Sequence, residues 1–526
     1  MIIQFKVLSR EQSEPREGEN AAYLHYDRWN DFGFVTQFVL NLYDSHGTYH
    51  EIGAIKIGFE GQNEEATTLK KLPHQFESLD SVFFSLGQSA DFYKNIHKLG
   101  EYGQQLLVSL NDLVKSPNKI DGLLNEDVFK VSLLREVSLT AIKGQFFRVL
   151  NGGAELTDYK FKFARPEIQN LGKLELSFEV KVDSTPNTNI HAIIGRNGVG
   201  KTTLLNGMIN AVVKPSREAM FFDLSVFSLL GDREIDNDYF SSLVSVSFSA
   251  LDTFTPPEEQ PDPTKGTCYF YIGLKEPNSE GLHRSIDALH SDCIDALKRC
   301  FNNKSRAKLW REAIDKLGFD ENFASMSLHW LENTFDEIKA QQIYEFDYEY
   351  RARVLPFLQK MSSGHSIVLL TVTRLVATVE EKTLVLLDEP ESHLHPPLLS
   401  AFIRALSELL LQQNGLAIIA THSPVVLQEI PKSCVWKVFR QGRSISSDRP
   451  KIETFAENVG ILTDEVFGLE LAHSGFHDLL RRSVSKGGSY QEILHKFGGS
   501  IGFEGRALLK TMIVNRDKGH SHDEVE

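Results

Sequence analysis

The sequence contains little cysteine, and this limits the kinds of site that it can build. Its 526 residues include four cysteines, Cys268, Cys293, Cys300 and Cys434, and no CxxC pair. Their spacing fits neither a zinc site nor a dense disulfide framework. We therefore expect a reducing, cytoplasmic setting.

Long hydrophobic runs and repeats are also missing. No apolar run approaches the roughly 20 residues that cross a bilayer, and no basic-then-apolar leader opens the chain. No repeat of fixed period is visible, which excludes solenoids and propellers. We expect no membrane contact unless a partner supplies it.

Positive charge is the third shortage. The chain has 56 Lys and Arg against 71 Asp and Glu, a net charge of -15. Proteins that grip long duplex nucleic acid need a basic face, so this balance disfavours that function but leaves a local basic groove open. Binding of a single nucleotide is unaffected, because charges beyond a Debye length of about 8 Å are screened.

The remaining composition is that of a folded, soluble protein. Hydrophobic residues make up 41% of the chain and charged residues 24%. The length allows about two to four compact units, or one large core with insertions. We expect most of the chain to fold, except a polar tail that ends in "RDKGHSHDEVE".

Three short apolar runs predict a parallel sheet. "IHAII", "TLVLLDE" and "GLAIIATHS" are apolar without alternation, as central strands covered on both faces are. "LELSFEVKV", residues 174–182, alternates and predicts a half-buried strand. Each of the three apolar runs ends in polar residues, where an open α/β sheet presents its ligand site. The predicted fold class is α/β.

A long section separates the first of these strands from the others. It opens with the Pro-rich linker "TPPEEQPDPTKG" and is otherwise expected to be mostly helical. Six basic residues lie between Lys298 and Arg311. A solvated helix face is the favoured interpretation, and contact with nucleic acid or a partner is the alternative.

The segment "GRNGVGKT", from Gly195 to Thr202, fits the phosphate-binding pattern GxxxxGK[ST]. Glycines are needed where backbone N–H groups turn inward around phosphates. Lys201 would bridge the β and γ phosphates, and Thr202 would coordinate Mg²⁺. An apolar strand precedes the segment and a helical pattern, "TTLLNGMI", follows it.

Two adjacent carboxylates end the strand "TLVLLDE". We expect Asp388 to hold Mg²⁺, and Glu389 to accept a proton from the attacking water. Two acids at the mouth of an apolar strand repel each other unless a cation neutralises them. This conflict favours a metal site over a solvated strand end.

Two further segments complete the set. Ser362, Ser363 and Gly364 in "MSSGHS" predict the start of a helix whose free N–H groups face an anion. His422 ends the strand in "AIIATHSP", where a neutral imidazole could lie beside the γ-phosphate and respond to its loss.

In this order and spacing, the four segments resemble the ATPase domain of ABC-type proteins, in the AAA-family branch shared with SMC, RecF and OLD-family ATPases. "GRNGVGKT" resembles Walker A, "LVLLDEP" Walker B, "MSSGH" the signature usually written LSGGQ, and "THS" the switch histidine. His365 replaces the signature glutamine. The best Q-loop candidate, "VSVSFSALDTF", contains no glutamine, so no residue is assigned to that role.

The resemblance implies an ATPase with ATP and Mg²⁺ as substrate and cofactor. ATP would be sandwiched between Walker A of one copy and the signature of another, so a homo-oligomer, at least a dimer, is expected. The implied catalytic residues are Glu389, His422 and Lys201, and the implied Mg²⁺ ligands are Thr202 and Asp388. The implied ATP-binding residues are Gly195, Arg196, Asn197, Gly198, Val199, Gly200, Lys201, Thr202, Thr203, Ser362, Ser363 and Gly364.

The same resemblance implies an ABC-type P-loop core with a mainly parallel sheet, an antiparallel β subdomain and a helical insertion. The expected units are an N-terminal α+β region (1–165), a lobe with Walker A (166–252), a helical insertion (253–360), a lobe with signature, Walker B and switch histidine (361–440), and a C-terminal region with a polar tail (441–526).

Beyond the core, residues 72–96, 421–433 and 453–470 resemble the Septu-type anti-phage ATPases, the PtuA family, including retron-associated forms. This implies a sensor or regulatory subunit that controls a separate PtuB-like HNH nuclease, with a retron reverse transcriptase and its msDNA as further candidate partners. A RecF- or SMC-like repair or recombination ATPase is the alternative. An OLD-type ATPase-nuclease is less favoured, because no DxD cluster follows "FEGRALL".

Overall fold

The structure is a computed structural model. It describes residues 3–9, 12–27, 29–135, 137–153, 156–167, 172–225, 232–237, 239–249, 254–279, 281–341, 345–471 and 475–517. Most of the predicted polar tail and residues 250–253 of the Q-loop candidate lie outside these ranges.

The strands and helices are numbered in chain order. The strands are β1 (Gln4–Leu8), β2 (Ala21–Tyr26), β3 (Gln37–Tyr43), β4 (Tyr49–Phe59), β5 (Gln75–Phe76), β6 (Phe83–Gly87), β7 (Tyr159–Arg165), β8 (Leu174–Val180), β9 (Ile190–Ile194), β10 (Met220–Asp223), β11 (Arg233–Glu234), β12 (Ser242–Ser247), β13 (Cys268–Gly273), β14 (Leu384–Asp388), β15 (Leu416–Thr421), β16 (Val435–Gln441) and β17 (Ser444–Asp448). The helices are α1 (Thr68–Lys71), α2 (Ala90–Lys98), α3 (Glu101–Ser109), α4 (Ile120–Leu123), α5 (Leu139–Ala141), α6 (Phe147–Leu150), α7 (Lys201–Val213), α8 (Ile286–Asn302), α9 (Lys304–Leu317), α10 (Glu321–Ser325), α11 (Trp330–Ala340), α12 (Phe346–Leu358), α13 (Ser363–Thr378), α14 (Pro396–Gln412), α15 (Pro424–Gln428), α16 (Val459–Leu471), α17 (Gly475–Ser485), α18 (Tyr490–Lys496) and α19 (Phe503–Asp517).

The central sheet has the order β13-β12-β14-β15-β9-β16-β17. Its first six strands are parallel neighbours, and only β17 runs antiparallel. Successive residues of each strand face two different cores: Val385 and Leu387 join one, and Leu384 and Leu386 join the other. This double burial explains why the strands read as continuous apolar runs.

Each face of the central sheet has its own covering layer. An antiparallel sheet, β11-β10-β7-β8, shares one core with α7 through residues such as Phe161, Phe178 and Met208. The other core includes residues from α8 to α14, among them Trp310 and Leu375. The predicted α/β fold with a mainly parallel sheet, an antiparallel β subdomain and a helical insertion is confirmed.

The N-terminal part forms a separate sheet with the order β5-β1-β2-β3-β4-β6. Only the β1–β2 pair is parallel. Its core includes Phe38, Ile55 and Phe92, and helices α2 to α6 contribute to it. The C-terminal helices α17, α18 and α19 have a further small core that contains Leu480, Ile493 and Leu509.

The basic run in the insertion is largely tied to nearby acids. Lys298 lies 2.8 Å from Asp295 and 2.7 Å from Asp347, and Arg311 pairs with Glu332. These contacts favour the interpretation as a structural helix face. Within the described ranges, no helix is both long and apolar enough to cross a membrane.

Candidate nucleotide-binding site

Three parallel strands bring the predicted site residues to one edge of the central sheet. β15 lies between β14 and β9, with Asp388 opposite Ala420 and Thr421 opposite Ile194. The loops that follow these strands therefore start side by side. They contain Glu389, His422 and the Walker A segment, of which the last two are more than two hundred residues apart in sequence.

The Walker A segment forms a loop between β9 and α7. Gly198 and Gly200 have φ angles of +79° and +95°, a region that residues with a Cβ rarely adopt. A Cβ on Gly195 would lie 2.5 Å from the carbonyl oxygen of Val438, so this position has no room for a larger residue. Both constraints explain why the pattern requires glycine.

Lys201 is the first residue of α7 and points back into the loop. Its side chain is 5% exposed, and its Nζ donates to the carbonyl oxygens of Gly195 at 3.1 Å and Arg196 at 3.4 Å. Nζ also lies 3.8 Å from Glu389 Oε1. A buried ammonium enclosed by a glycine-rich loop is a fitting cradle for phosphate oxygens.

Thr202 and Asp388 meet across the same edge. Thr202 Oγ1 donates to Asp388 Oδ2 at 2.7 Å. One hydroxyl and one carboxylate at this separation suit Mg²⁺, which in proteins binds few side chains and completes its shell with phosphate and water oxygens. The donor set therefore fits the cation that the sequence predicts.

Glu389 has a backbone conformation that is unusual for its residue type. Its φ is +45° and its ψ +57°, and its N–H donates to the carbonyl oxygen of Ala420 at 2.9 Å. Its Oε1 lies 3.6 Å from His422 Nδ1. Such left-handed backbone in a residue other than glycine costs free energy and often marks a functional position.

Among the other Walker A residues, one is buried and supports the loop, and two are exposed. Val199 is buried, and its Cγ2 would lie 3.1 Å from a Cβ on Gly195. Its N–H donates to the carbonyl oxygen of Arg196 at 3.4 Å. Asn197 and Thr203 are exposed. Val199 therefore supports the loop from inside, and Asn197 and Thr203 lie on the exposed side of the loop.

The signature residues have different neighbours. Ser362 caps α13, with its Oγ 2.7 Å from His365 Nδ1. A Cβ on Gly364 would lie 2.8 Å from the carbonyl oxygen of His393. Ser362 and Ser363 are exposed at the helix start. The signature thus contacts the loop after β14 and the helical insertion, whereas the Walker A loop contacts Asp388 and Glu389.

Sequence reasoning missed Glu391, which lies beside the predicted site residues. Glu391 Oε1 accepts from Thr421 Oγ1 at 2.6 Å and from the His422 N–H at 2.8 Å, and it lies 3.2 Å from His422 Nδ1. Its side chain is 9% exposed. The segment "DEPE" contained the available signal for Glu391, because it places a third acidic residue close to the strand end.

Asp320 was also missed, and nothing in the sequence pointed to it. It precedes α10 in the helical insertion and is 5% exposed. Its Oδ1 lies 3.7 Å from His365 Nε2 and its Oδ2 lies 3.2 Å from His395 Nε2.

His393, which is also in the loop after β14, contacts the carbonyl oxygen of Phe248 through Nε2 at 3.1 Å. Within the described ranges, no group of three or more His, Cys, Asp or Glu side chains is arranged to hold a metal.

A buried histidine lies beneath the Walker A loop. His191 in β9 is 1% exposed, and its ring packs edge-on against Phe178. Burial, with a smaller contribution from the charge of Arg449, lowers the pKa of His191 to about 3. The imidazole is therefore neutral at physiological pH, and the strand that leads into the loop carries no buried charge there.

Comparison with known proteins supports an ATPase core. A family model described as "AAA domain, putative AbiEii toxin, Type IV TA system" matches residues 269–428, a range that contains the signature, Walker B and the switch histidine. The part of the chain from residue 269 to 428 is therefore similar to an AAA domain, and the match does not extend to the Walker A segment.

Solved structures give remote likenesses. The protein cbiO1 from Clostridium perfringens, part of the ABC transporter complex cbiONQ, is 17% identical, with 56% of this chain and 90% of that chain covered and a TM-score of 0.30. UvrA2 from Deinococcus radiodurans is 14% identical, with 58% of this chain and 40% of that chain covered and a TM-score of 0.28.

A relative from a bacteriophage matches nearly the whole chain. Protein ea59 of Escherichia phage lambda is 50% identical over 525 residues, which cover 98% of this chain and 99% of that protein. At this identity and coverage, the chain belongs to the family of phage lambda protein ea59.

Proposed function

We propose that this protein binds and hydrolyses ATP and that hydrolysis requires two copies of the chain. The observation that carries the proposal is the convergence of Lys201, Asp388, Glu389 and His422 at one edge of the central sheet. Lys201 lies within 3.8 Å of Glu389, and Glu389 lies within 3.6 Å of His422. A cation, a general base and a hydrogen-bonding imidazole are the groups that phosphoryl transfer to water needs.

The chain's own residues have distinct tasks in this reaction. Lys201 and the loop amides hold the β and γ phosphates and offset their charge. Glu389 orients the attacking water and accepts its proton, and its fixed left-handed backbone keeps the carboxylate at the strand end. Glu391 holds the backbone of His422 by accepting from its N–H, and the imidazole Nδ1 lies 3.2 Å from Glu391 and 3.6 Å from Glu389.

Magnesium, held by Thr202 and Asp388, would neutralise charge on the phosphate oxygens. The hydrogen bond between these two side chains, at 2.7 Å, brings both oxygens to one side of the loop. A cation there also offsets the repulsion between Asp388 and the adjacent Glu389.

The position of the signature supports the proposed need for a second copy. Ser362 and Gly364 contact His365 and His393, and the free amide end of α13 is exposed. A partner's triphosphate could therefore reach this helix start, where amides and the helix dipole favour an anion. A group supplied across an interface can raise phosphoryl-transfer rates by about 10³- to 10⁵-fold, so dimer formation would switch the enzyme on.

For the biological role, we propose a sensor or regulatory ATPase of a Septu- or retron-type defence system that controls a separate HNH nuclease. Within the described ranges there is no clustered set of metal-binding side chains, and Glu504 lies exposed on α19, away from any strand end. Both points support a division in which a partner cuts nucleic acid. Carriage of such a system by phages would be consistent with the phage origin of protein ea59.

The variant Glu389→Gln tests both parts of the proposal. It is expected to bind ATP normally, to lose turnover by about 100-fold or more, and to accumulate as a dimer when ATP is present. Isotherms of ATP binding, phosphate release and mass measurement with and without ATP give the three values. Glu408→Gln, an exposed acid on α14 that pairs with Lys316, is the matched control.

The partner is tested with the same two variants. Each is co-expressed with the open reading frames that flank the gene, and DNA degradation is measured. We expect DNA degradation that depends on ATP and requires an HNH protein. Glu389→Gln should change this activity, and Glu408→Gln should not. Full turnover in Glu389→Gln would refute the assignment of Glu389, and copurification with recombination proteins in place of a nuclease would favour the repair function.

A further inference from the structure

We infer that Ser362, His365 and Asp320 form a side-chain relay that orients the signature serine, and that the helical insertion controls the composite site through it. This inference rests on the proposed composite ATP site. His365 and Asp320 act in it as positioning residues, because neither would touch the nucleotide. The relay also gives a physical role to the histidine that replaces the signature glutamine.

The first link joins the serine to the imidazole. Ser362 Oγ lies 2.7 Å from His365 Nδ1, whereas the capping bond from the His365 N–H to the same oxygen is long, at 3.5 Å. Ser362 is exposed at the helix start. The ring nitrogen, and not the helix cap, is therefore the stronger partner of this hydroxyl.

The second link faces the helical insertion. His365 Nε2 is buried without a hydrogen-bond partner and lies 3.7 Å from Asp320 Oδ1. The ring also packs against Phe323 of α10, with 5.9 Å between ring centroids. Asp320 Oδ1 already accepts the N–H of Phe323 at 2.9 Å, so the carboxylate moves with α10. A shift of less than about 1 Å would close this gap to hydrogen-bonding distance.

The two ring nitrogens make the links interdependent. A hydroxyl has one proton to donate, and a neutral imidazole has one N–H. When Nδ1 accepts from Ser362, the serine proton is used inside the protein; when Nδ1 donates, that proton is available to a phosphate oxygen. Asp320 can only accept, so its distance from Nε2 biases where the ring proton lies, and hence the direction of the Ser362 hydrogen bond.

The same carboxylate has a second neighbour, which supplies an internal control. His395, which precedes α14, faces Asp320 Oδ2 at 3.2 Å and is 48% exposed. The relay runs from Ser362 through His365 to Asp320 and does not include His395. If Asp320 acts through the loop after β14, then substitution of His395 should change kcat. If it acts through the relay, then substitution of His365 should change kcat.

Two substitutions of His365 separate the two links. The amide of Asn lies near the position of Nδ1, and the amide of Gln lies near the position of Nε2. We expect His365→Asn to keep the contact to Ser362 and lose that to Asp320, and His365→Gln to do the reverse. Ser362→Ala should lower kcat by about 10- to 100-fold, the range for one hydrogen bond to a charged group. Asp320→Asn and His365→Gln should instead raise kcat, because each leaves the serine proton free for a phosphate oxygen. ATP affinity of the isolated copy, set by Walker A, should not change.

A double-mutant cycle provides the decisive comparison. In the His365→Asn background, Asp320→Asn should have almost no further effect on kcat, because its route to Ser362 is already cut. Additive changes in kcat, or an equal change in His395→Asn, would overturn the relay. Folding is checked for every variant by thermal unfolding and ATP binding.

A readout that needs no turnover keeps this test separate from that of the proposed function. Nitrogen NMR of ¹⁵N-histidine-labelled protein reports the protonation of each ring nitrogen, and the His365 signal is identified by its loss in His365→Asn. We expect Asp320→Asn and Ser362→Ala each to shift the His365 signals and His395→Asn to leave them nearly unchanged. Unshifted signals would refute the relay; shifted signals in a protein without ATPase activity would refute only the proposed function.

Discussion

At the scale of single residues, the buried His191 makes the stability of the protein depend on pH. Its pKa is lowered to about 3, whereas the unfolded chain titrates near 6.5. The unfolded state therefore binds more protons between these values, and the stability that His191 contributes above pH 6.5 is lost progressively as the pH falls. From pH 7 to pH 5 this amounts to about 2 kcal/mol.

The variant His191→Leu should remove that part of the pH dependence. Its free energy of unfolding should fall less than that of the native protein between pH 7 and pH 5, as measured by urea unfolding. His477→Leu, which changes a more accessible histidine on α17, should keep the full dependence. Parallel curves for the native protein and His191→Leu would contradict the assignment.

Sequence patterns predicted that several residues would lie together at one edge of the sheet, because these residues follow strand ends. Asp388, Glu389 and His422 each end a buried run, and parallel strands bring such positions to one edge. Asp320 could not be found in this way. Its contact with His365 joins two segments whose spacing obeys no strand or helix period, so only the packed structure reveals it.

At the scale of elements, α13 links the signature to the core. The helix buries Leu369, Val372 and Leu375, so its position is fixed by packing along most of its length. Its first turn faces the loop after β14, where Gly364 approaches the carbonyl oxygen of His393. The pattern of the sequence predicted this helix start, but not the close approach, since that depends on another segment's backbone.

We expect Gly364→Ala to impair turnover without weakening ATP binding by Walker A. The added Cβ would lie 2.8 Å from the His393 oxygen and must displace the helix start by several tenths of an ångström. A loss of about 10-fold or more in kcat is expected, because small misplacements of positioning groups are costly. Phosphate release and ATP titrations on the purified variant measure both values.

The matched control is Gly207→Ala in α7. Its Cβ would meet only the Phe163 ring, at 3.6 Å, an ordinary contact. Alanine in a helix interior is favoured over glycine by about 1 kcal/mol, so this variant should be as active as the native protein and slightly more stable. Equal kcat for Gly364→Ala and the native protein would show that the first turn tolerates displacement.

At the scale of the whole molecule, Glu381 joins the N-terminal part to the ATPase core. It lies between α13 and β14, and its carboxylate accepts from the Gln145 N–H at 2.7 Å and pairs with Arg148 at 2.5 Å. Burial raises the pKa of Glu381, and Arg148 offsets part of that rise. The N-terminal part therefore contacts the segment that directly follows the signature helix.

The variant Glu381→Ala should separate these two parts. It removes the carboxylate that pairs with Arg148, which is 29% exposed, and takes the acceptor from the buried N–H of Gln145, at a cost of about 2–3 kcal/mol. We expect unfolding to split into two transitions and proteolysis to cut between the N-terminal part and the core, while ATP binding persists. Glu381→Gln keeps the acceptor oxygen and resembles the protonated acid that burial favours, so it should stay close to the native protein. Identical unfolding of both variants would mean that other contacts between the parts, such as Asn414 with Thr157, suffice to hold them together.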